Sequence, residues 1–431
     1  MRQSWKNFFS VIILFASQFL LTTCTSNDHD FYVQGTFCMG PNDPDHCDWG
    51  HPNKLDLTAI PVADNEVNVA FGIITDTHVE ALTSRDAPAG CVIIGQTSYY
   101  NDTSQKMRNN RSTIPDINQD CSKAGAVGVD CLGIVHIGDL VNDRKTQQLL
   151  GFRQLYEHDY PGGGGGTVYS SDCIVDHDAY SLGHRIKYPV IPLLGNHDVT
   201  EHYQDQNSET GGYIIQRFSD AIGLLDQYPN YIDPANQSRN PTNFIWRWGQ
   251  YVFVTLGMSA GSYNWQTQAT DPNKLLWLKE SMAKYVNDST LGVLIFQHYG
   301  WDSSSKNWWT DYERDMMINI LCRRNDKNQV CQPHNVLGIF TGHNHWPQQW
   351  IPIDAGKDTH GDDVRFWDFS MMTTGFDTND GTYGFSVVKL TGDYMYIHTK
   401  ARNYKTGYNQ YWPTTCYKIS TTGPATPCTC P

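Results

Sequence analysis

Five stretches of this 431-residue chain end an apolar run with side chains able to bind a metal ion or carry a proton. Val67 to Thr75 leads into Asp76-Thr77-His78, and Leu132 to Ile137 into Gly138-Asp139. Tyr188 to Leu194 leads into Gly195-Asn196-His197-Asp198, Leu291 to Phe296 into Gln297-His298, and Val336 to Thr341 into Gly342-His343-Asn344-His345. Mixed carboxylate, amide and imidazole donors suit borderline cations such as Zn, Fe or Mn rather than an all-oxygen calcium site. The donors Asp76, His78, Asp139, Asn196, His298, His343 and His345 are too many for one tetrahedral ion and match two ions if one carboxylate bridges. In the Gly-Asn-His-Asp turn, an amide ligand sits next to an imidazole, His197, that can act as a proton donor.

Each of these runs reads as a buried strand, and ligands in open sheets gather at the carboxyl ends of strands. On extended backbone Asp76 and His78 point to one side, as do His343 and His345. His136 lies inside its run and reads as a core histidine. Helical spacing covers 145–158, Gly212 to Tyr228 and Met316 to Leu321, and Asp271-Pro272 opens a further helix. Hairpins turn at Gly249-Gln250 and Gly392-Asp393. The strand–helix–strand order between Gly133 and Leu194 indicates an α/β fold. Residues 80–130 read as a polar insertion hanging over one side of the Asp76 site. The glycine run 162–166 lacks the Lys-Ser/Thr of a phosphate loop, and Asp172, Asp176, His177 and Asp178 after it read as a solvated acidic loop. Trp301, Trp308, Trp309, Trp346 and Trp350 crowd the last two motifs, either as stacking surfaces for a base, sugar or choline headgroup or as core packing.

A formal net charge of −14 argues against a nucleic-acid polymer as partner. Residues 1–24 read as a signal peptide, with Arg2 and Lys6 before an apolar run too short to span a bilayer, so the chain is expected to be secreted. Leu21-Thr22-Thr23-Cys24 also resembles an imperfect lipobox, which leaves a lipid anchor at Cys24 open. Residues 25–66 form a Cys-containing extension, 67–412 the main domain and 413–431 a Cys-containing tail. Twelve cysteines in a secreted chain indicate disulfides, with Cys38–Cys47 and Cys322–Cys331 as local pairs. The sequons at Asn101, Asn110, Asn236 and Asn287 read as glycosylated surface loops.

The order D-x-H, G-D, G-N-H-D, H, G-H-x-H resembles the calcineurin-like metallophosphoesterase superfamily over Val67 to Lys400. That resemblance implies a four-layer α/β/β/α sandwich of two mixed sheets flanked by helices, with a dinuclear metal site at the strand ends. It implies one ion on Asp76, His78, Asp139 and His345, and a second on Asp139, Asn196, His298 and His343. It also implies hydrolysis of small phosphate mono- or diesters by a hydroxide activated between the metals, with His197 as proton donor or phosphate contact. Asp198 or Asp143 would orient His197. Position 142, where the purple acid phosphatases carry an iron-binding Tyr, is Asn142, which speaks against that branch. Acid sphingomyelinase-like and cyclic-nucleotide phosphodiesterase-like branches stay open. The alternative of a non-catalytic binding module predicts eroded ligands, and none is missing. The oligomeric state is not legible.

Overall fold

The computed structural model describes residues 55–80, 105–125, 127–142, 148, 152, 155–156, 186–198, 221–227, 243–257, 272–301, 310–324, 330–345, 348–376, 378–420 and 423–430. The expected leader, Cys24, Cys38, Cys47, Asn101, Asp143, the glycine run, the acidic loop 172–178, Asn236, Trp308, Trp309 and Trp346 lie outside them. In chain order the elements are β1 (Val69–Ile74), α1 (Gln105–Asp120), β2 (Ile134–His136), β3 (Val190–Pro192), β4 (Leu224–Gln227), β5 (Asn243–Trp248), β6 (Tyr251–Leu256), α2 (Pro272–Tyr285), β7 (Gly292–Phe296), α3 (Asp311–Leu321) and β8 (Val336–Thr341). There follow β9 (Gln349–Lys357), β10 (Asp363–Ser370), β11 (Thr382–Leu390), β12 (Tyr394–Asn403), β13 (Tyr408–Tyr411), β14 (Thr415–Ser420) and β15 (Gly423–Cys428).

Two mixed sheets face each other. One runs β15-β14-β12-β11-β1-β2-β3 with β13 beside β12, and the other runs β4-β5-β6-β7-β8-β10-β9. Strands β1, β2 and β3 are mutually parallel, as are β6, β7, β8 and β10, so their carboxyl ends open on a common edge. The apolar runs are continuous because both faces of these strands are covered. Phe253, Leu294 and Phe296 join Phe71 and Trp246 in the core between the sheets. Their neighbours Val252, Val254, Val293 and Ile295 point the other way, onto Leu278 and Met282 of α2 and Met317 and Ile320 of α3. A capping box fixes the start of α3: Glu313 N–H donates to Thr310 Oγ1 at 3.1 Å and Thr310 N–H to Glu313 Oε2 at 2.8 Å. The fold is the α/β/β/α sandwich expected from the sequence.

Three readings need correction. The helix expected over Gly212 to Tyr228 is, in its described part, the edge strand β4, which pairs antiparallel with β5. Gly223, at φ +87°, breaks the helical path just before it. The polar insertion over 80–130 contains helix α1, invisible to hydrophobic periodicity because its buried face includes Asn109, Asn110, Thr113 and Asp116. Within that helix the Asn110 sequon is no surface loop. Its Nδ2 donates to Thr77 O at 2.8 Å, and its Oδ1 accepts from the Tyr156 hydroxyl. Asn287, by contrast, is exposed in a turn. Of the cysteines, Cys322–Cys331 forms as expected, and Cys121–Cys131 closes the segment between α1 and β2. The tail adds two strands to the first sheet and sets Cys416 opposite Cys428.

These bonds make Asn110→Ala costly. The Asn110 Nδ2 also donates to Lys106 O at 2.9 Å, and loss of this buried amide with its three partners should lower unfolding free energy by about 2–3 kcal/mol in urea titration. Asn287→Ala, which loses exposed turn bonds from Ser289, should cost no more than about 1 kcal/mol.

Candidate metal centre

Every strand expected to deliver a donor ends at one place between the sheets. The backbone beyond β1 and β2 stays paired: Asp76 N–H donates to Gly138 O at 3.1 Å, and His78 N–H to Asp139 O at 3.0 Å. A bridge between Val79 and Val141 closes this pairing. From the facing sheet, His298 N–H donates to Gly257 O at 2.9 Å and Gly342 N–H to His298 O at 3.1 Å. Five donor residues adopt left-handed backbone: Asp76 (φ 51°), His78 (42°), Asp139 (55°), His343 (75°) and His345 (50°). This corrects the expected mechanism of convergence. The side chains meet because the chain turns sharply after each strand, and not by simple alternation along extended backbone.

Asp139 lies at the centre. Its Oδ1 accepts from His197 N–H at 2.8 Å. Its Oδ2 is buried with no hydrogen-bond donor, 3.4 Å from His78 Nε2 on one side and 3.3 Å from His298 Nε2 on the other. Two groups of donor atoms share it, each within 4.8 Å internally: Asp76, His78, Asp139 and His345, and Asp139, His298 and His343. Asn196 belongs with the second, its Oδ1 lying 3.1 Å from His298 Nε2 and 3.0 Å from His343 Nδ1. Gly195 is required for this approach, because a Cβ there would fall 2.2 Å from Asp139 Oδ1.

The electrostatics call for cations. Burial disfavours the charge of Asp76, but the imidazoles of His345 and His298 outweigh it and bring its pKa down to about 2. Burial opposes Asp139 likewise, and His298, His78 and His197 hold it well below the usual carboxylate range. Burial also works against a charged His298, yet Asp139 and Asp76 raise its pKa to about 9. The same burial, reinforced by His298, lowers His343 to about 4, and burial keeps His78 well below the normal histidine value. His298 Nδ1–H donates to Ile137 O at 2.8 Å, which aims Nε2 into the cluster. His78 Nε2 and His345 Nε2 stand 3.0 Å apart, a separation for two imidazole nitrogens that needs a shared proton or a common cation. Together with the orphaned Asp139 Oδ2, this donor set fits a pair of metal ions.

His197 stands beside the clusters, its ring edge-on to His78 with centroids 4.5 Å apart. Its Nδ1–H donates to the main-chain carbonyl of Asn142 at 2.8 Å, leaving Nε2 for chemistry. Asp198 does not orient that ring. Its oxygens accept from the backbone N–H groups of Leu140, Val141 and Gly195, at 2.9, 3.1 and 2.8 Å, and so brace the Asp139 turn against the Asn196 turn. Burial and the Asp139 charge push its pKa up to about 8 despite those donors. His136 is the core histidine expected, its Nε2 2.8 Å from Thr77 Oγ1. Trp350 packs edge-on to Phe369, and Trp301 lies beneath the Arg314 guanidinium. Among the described residues the aromatics at the site are Phe376, stacked on His345 at 4.1 Å, and Tyr299, edge-on to His343 at 4.6 Å. Neither stands out in the sequence. Tyr299 follows a donor directly, which is a usable signal, while Phe376 lies far from any motif.

A calcineurin-like phosphoesterase family model matches residues 69–347, from the start of β1 to just past His345. The chain belongs to that family. It is a metal-dependent phosphoester hydrolase with a dinuclear type of metal centre. No curated protein matches this phosphoesterase. A solved structure described as "Structure of PhoD" is similar at 9% identity and TM-score 0.47, over 85% of this chain and 72% of that one.

Because His298 holds its proton up to about pH 9, a metal ion entering the second cluster must displace it. Calorimetry at pH 7 in buffers of different ionisation enthalpy should find about one proton released per ion there, with affinity rising as pH approaches 9. Proton-independent binding would contradict this. Gly195→Ala should weaken both sites by pushing on Asp139.

Proposed function

We propose that the chain is a secreted phosphoesterase acting on small phosphate mono- or diesters, with Asp139 shared between two ions and His197 donating the proton to the departing oxygen. The carrying observation is the geometry around Asp139: one oxygen bonded to the His197 amide, the other bare between two imidazoles. Asp76, His78, Asp139 and His345 would hold one ion, and Asp139, Asn196, His298 and His343 the other, as the two donor groups suggest. Paired ions of this kind supply positive charge for phosphoryl oxygens and acidify water.

The remaining work falls to this chain's own residues. Asp76, His78, Asp139 and His298 form a buried floor, while Asn196, His197, His343 and His345 are partly exposed and line the open side. A phosphate ester reaching the floor therefore passes His197. With Nδ1 committed to the Asn142 carbonyl, His197 presents Nε2 to the substrate, where it holds the proton needed by an alkoxide leaving group. Asn142, in place of a tyrosine, supports a branch other than the purple acid phosphatases. Two disulfides and the N-terminal apolar run support secretion, with a lipid anchor at Cys24 as the variant form.

A panel of alkyl and nitrophenyl phosphate mono- and diesters and choline phospholipids, run with metal analysis on the same sample, tests the reading. Asp139→Ala should lose both ions and all hydrolysis. His197→Gln should keep both ions and lose about 10²–10⁴-fold in kcat on alkyl esters, and much less on nitrophenyl esters, whose leaving group needs no proton. Equal losses on both would assign His197 to phosphate binding, and loss of an ion would make it a ligand.

A further inference from the structure

The polar face of α1 touches the metal centre at three successive points. Asn110 Nδ2 donates to Thr77 O at 2.8 Å, and Asn109 Nδ2 to Gly375 O at 2.9 Å. One turn earlier, Lys106 Nζ donates to Glu80 Oε1 at 2.8 Å and to Asn142 Oδ1 at 2.6 Å. Glu80 and Asn142 each follow one partner of the Val79–Val141 bridge, the last pairing between the two segments that carry Asp76, His78 and Asp139. The ammonium thus clamps that pairing at its open end. It also lies 4.7 Å from the centroid of the Phe376 ring, which stacks on His345 and meets His78 edge-on at 5.0 Å.

An ammonium has three N–H donors. Glu80 and Asn142 take two, and the face of Phe376 takes the remaining positive edge. None is left for a phosphate oxygen. Lys106 is therefore placed to hold groups that do chemistry and not to bind the ester. What it holds is specific: the backbone carbonyl of Asn142 is the acceptor that fixes the His197 ring.

We propose that Lys106 is a positioning residue of the phosphoesterase. By tethering the Asn142 side chain and covering Phe376, it keeps the His197 imidazole in proton-donating orientation and His345 in its stacked one. This rests on the assignment of His197 as proton donor. The cation–π contact of the ammonium with Phe376 also holds in place the ring on which His345 stacks.

Lys106→Met keeps the apolar stem over Phe376 and removes the ammonium. In the zinc-loaded full chain it should retain both ions. It should lower kcat on alkyl phosphate esters by about tenfold, a fraction of the full general-acid contribution, with KM unchanged within about twofold and nitrophenyl esters little affected. Asn142→Ala should do the same, and the double variant no more than either, because both break one link. Lys106→Arg, able to reach both acceptors, should restore the rate. A readout independent of turnover is the His197 Nδ1–H resonance, identified by its loss in His197→Gln. It should exchange slowly in the wild type and fast in Lys106→Met. Unchanged exchange and unchanged kcat would overturn the proposal. A raised KM at constant kcat would make Lys106 a substrate contact instead, and loss of zinc would make its role one of metal retention. If the wild type hydrolyses no phosphate ester, the functional reading fails, while the exchange measurement still decides whether Lys106 holds His197.

Discussion

One buried carboxylate oxygen constrains this protein more than any other atom. Asp139 Oδ2 has no hydrogen-bond donor and faces two imidazole nitrogens at 3.3 and 3.4 Å. An ionised group taken out of water without a partner costs several kcal/mol, so the surroundings must furnish positive charge. In the chain alone that charge is the proton held by His298. Two ions held by the flanking donor groups would supply more of it at the same place, which would tie metal affinity to pH and to the integrity of one side chain.

Reaching that arrangement strains the backbone. Five donor residues occupy the left-handed region, where a residue with a Cβ costs about 1 kcal/mol or more. Asp and His tolerate it better than most. Such conformations persist only where the surroundings over-determine them. Here the amide pairing from Asp76 to Val79 with Gly138 to Leu140 does so, and the Asp198 carboxylate ties three further backbone amides together. Behind these turns the inter-sheet core of Phe71, Trp246, Phe253 and Phe296 is closed to solvent, each such side chain contributing about 1.5–3 kcal/mol. The strain is of the same order as the burial of those four rings, so the turns depend on that core and on the backbone pairing together.

The legible part of this design follows from its physics. Strands covered on both faces must be continuously apolar, so β1, β2, β3, β7 and β8 announce themselves, and the donors that follow them stand out by contrast. The metal-type clusters were readable for that reason. The illegible part is polar. Helix α1 buries amides and a carboxylate where periodicity expects leucines, so it resembled a loop. The left-handed turns leave no mark beyond a neighbouring glycine. Asp198 looked like a partner for His197 because it is adjacent in sequence, yet its oxygens are drawn to three nearby backbone donors, and a main-chain carbonyl, which every residue possesses, takes the imidazole. Edge strand β4 failed for a different reason: at a sheet margin, pairing with β5 decides its state and the local pattern does not.

The polar character of α1 has a physical rationale in the site it serves. Turns bent away from strand pairing leave carbonyls such as those of Thr77 and Gly375 without ladder partners, and a buried carbonyl needs a donor. An apolar helix could not provide one. Asn109 and Asn110 do, and in doing so they place α1 closely enough for Lys106, one turn away, to reach Asn142 and Phe376. The strain that gathers the metal donors thus creates the unsatisfied groups that recruit the helix, and the helix brings an ammonium against the segment whose carbonyl holds His197. Position 142 joins the two halves of this arrangement: its side chain answers to the helix, and its carbonyl to His197.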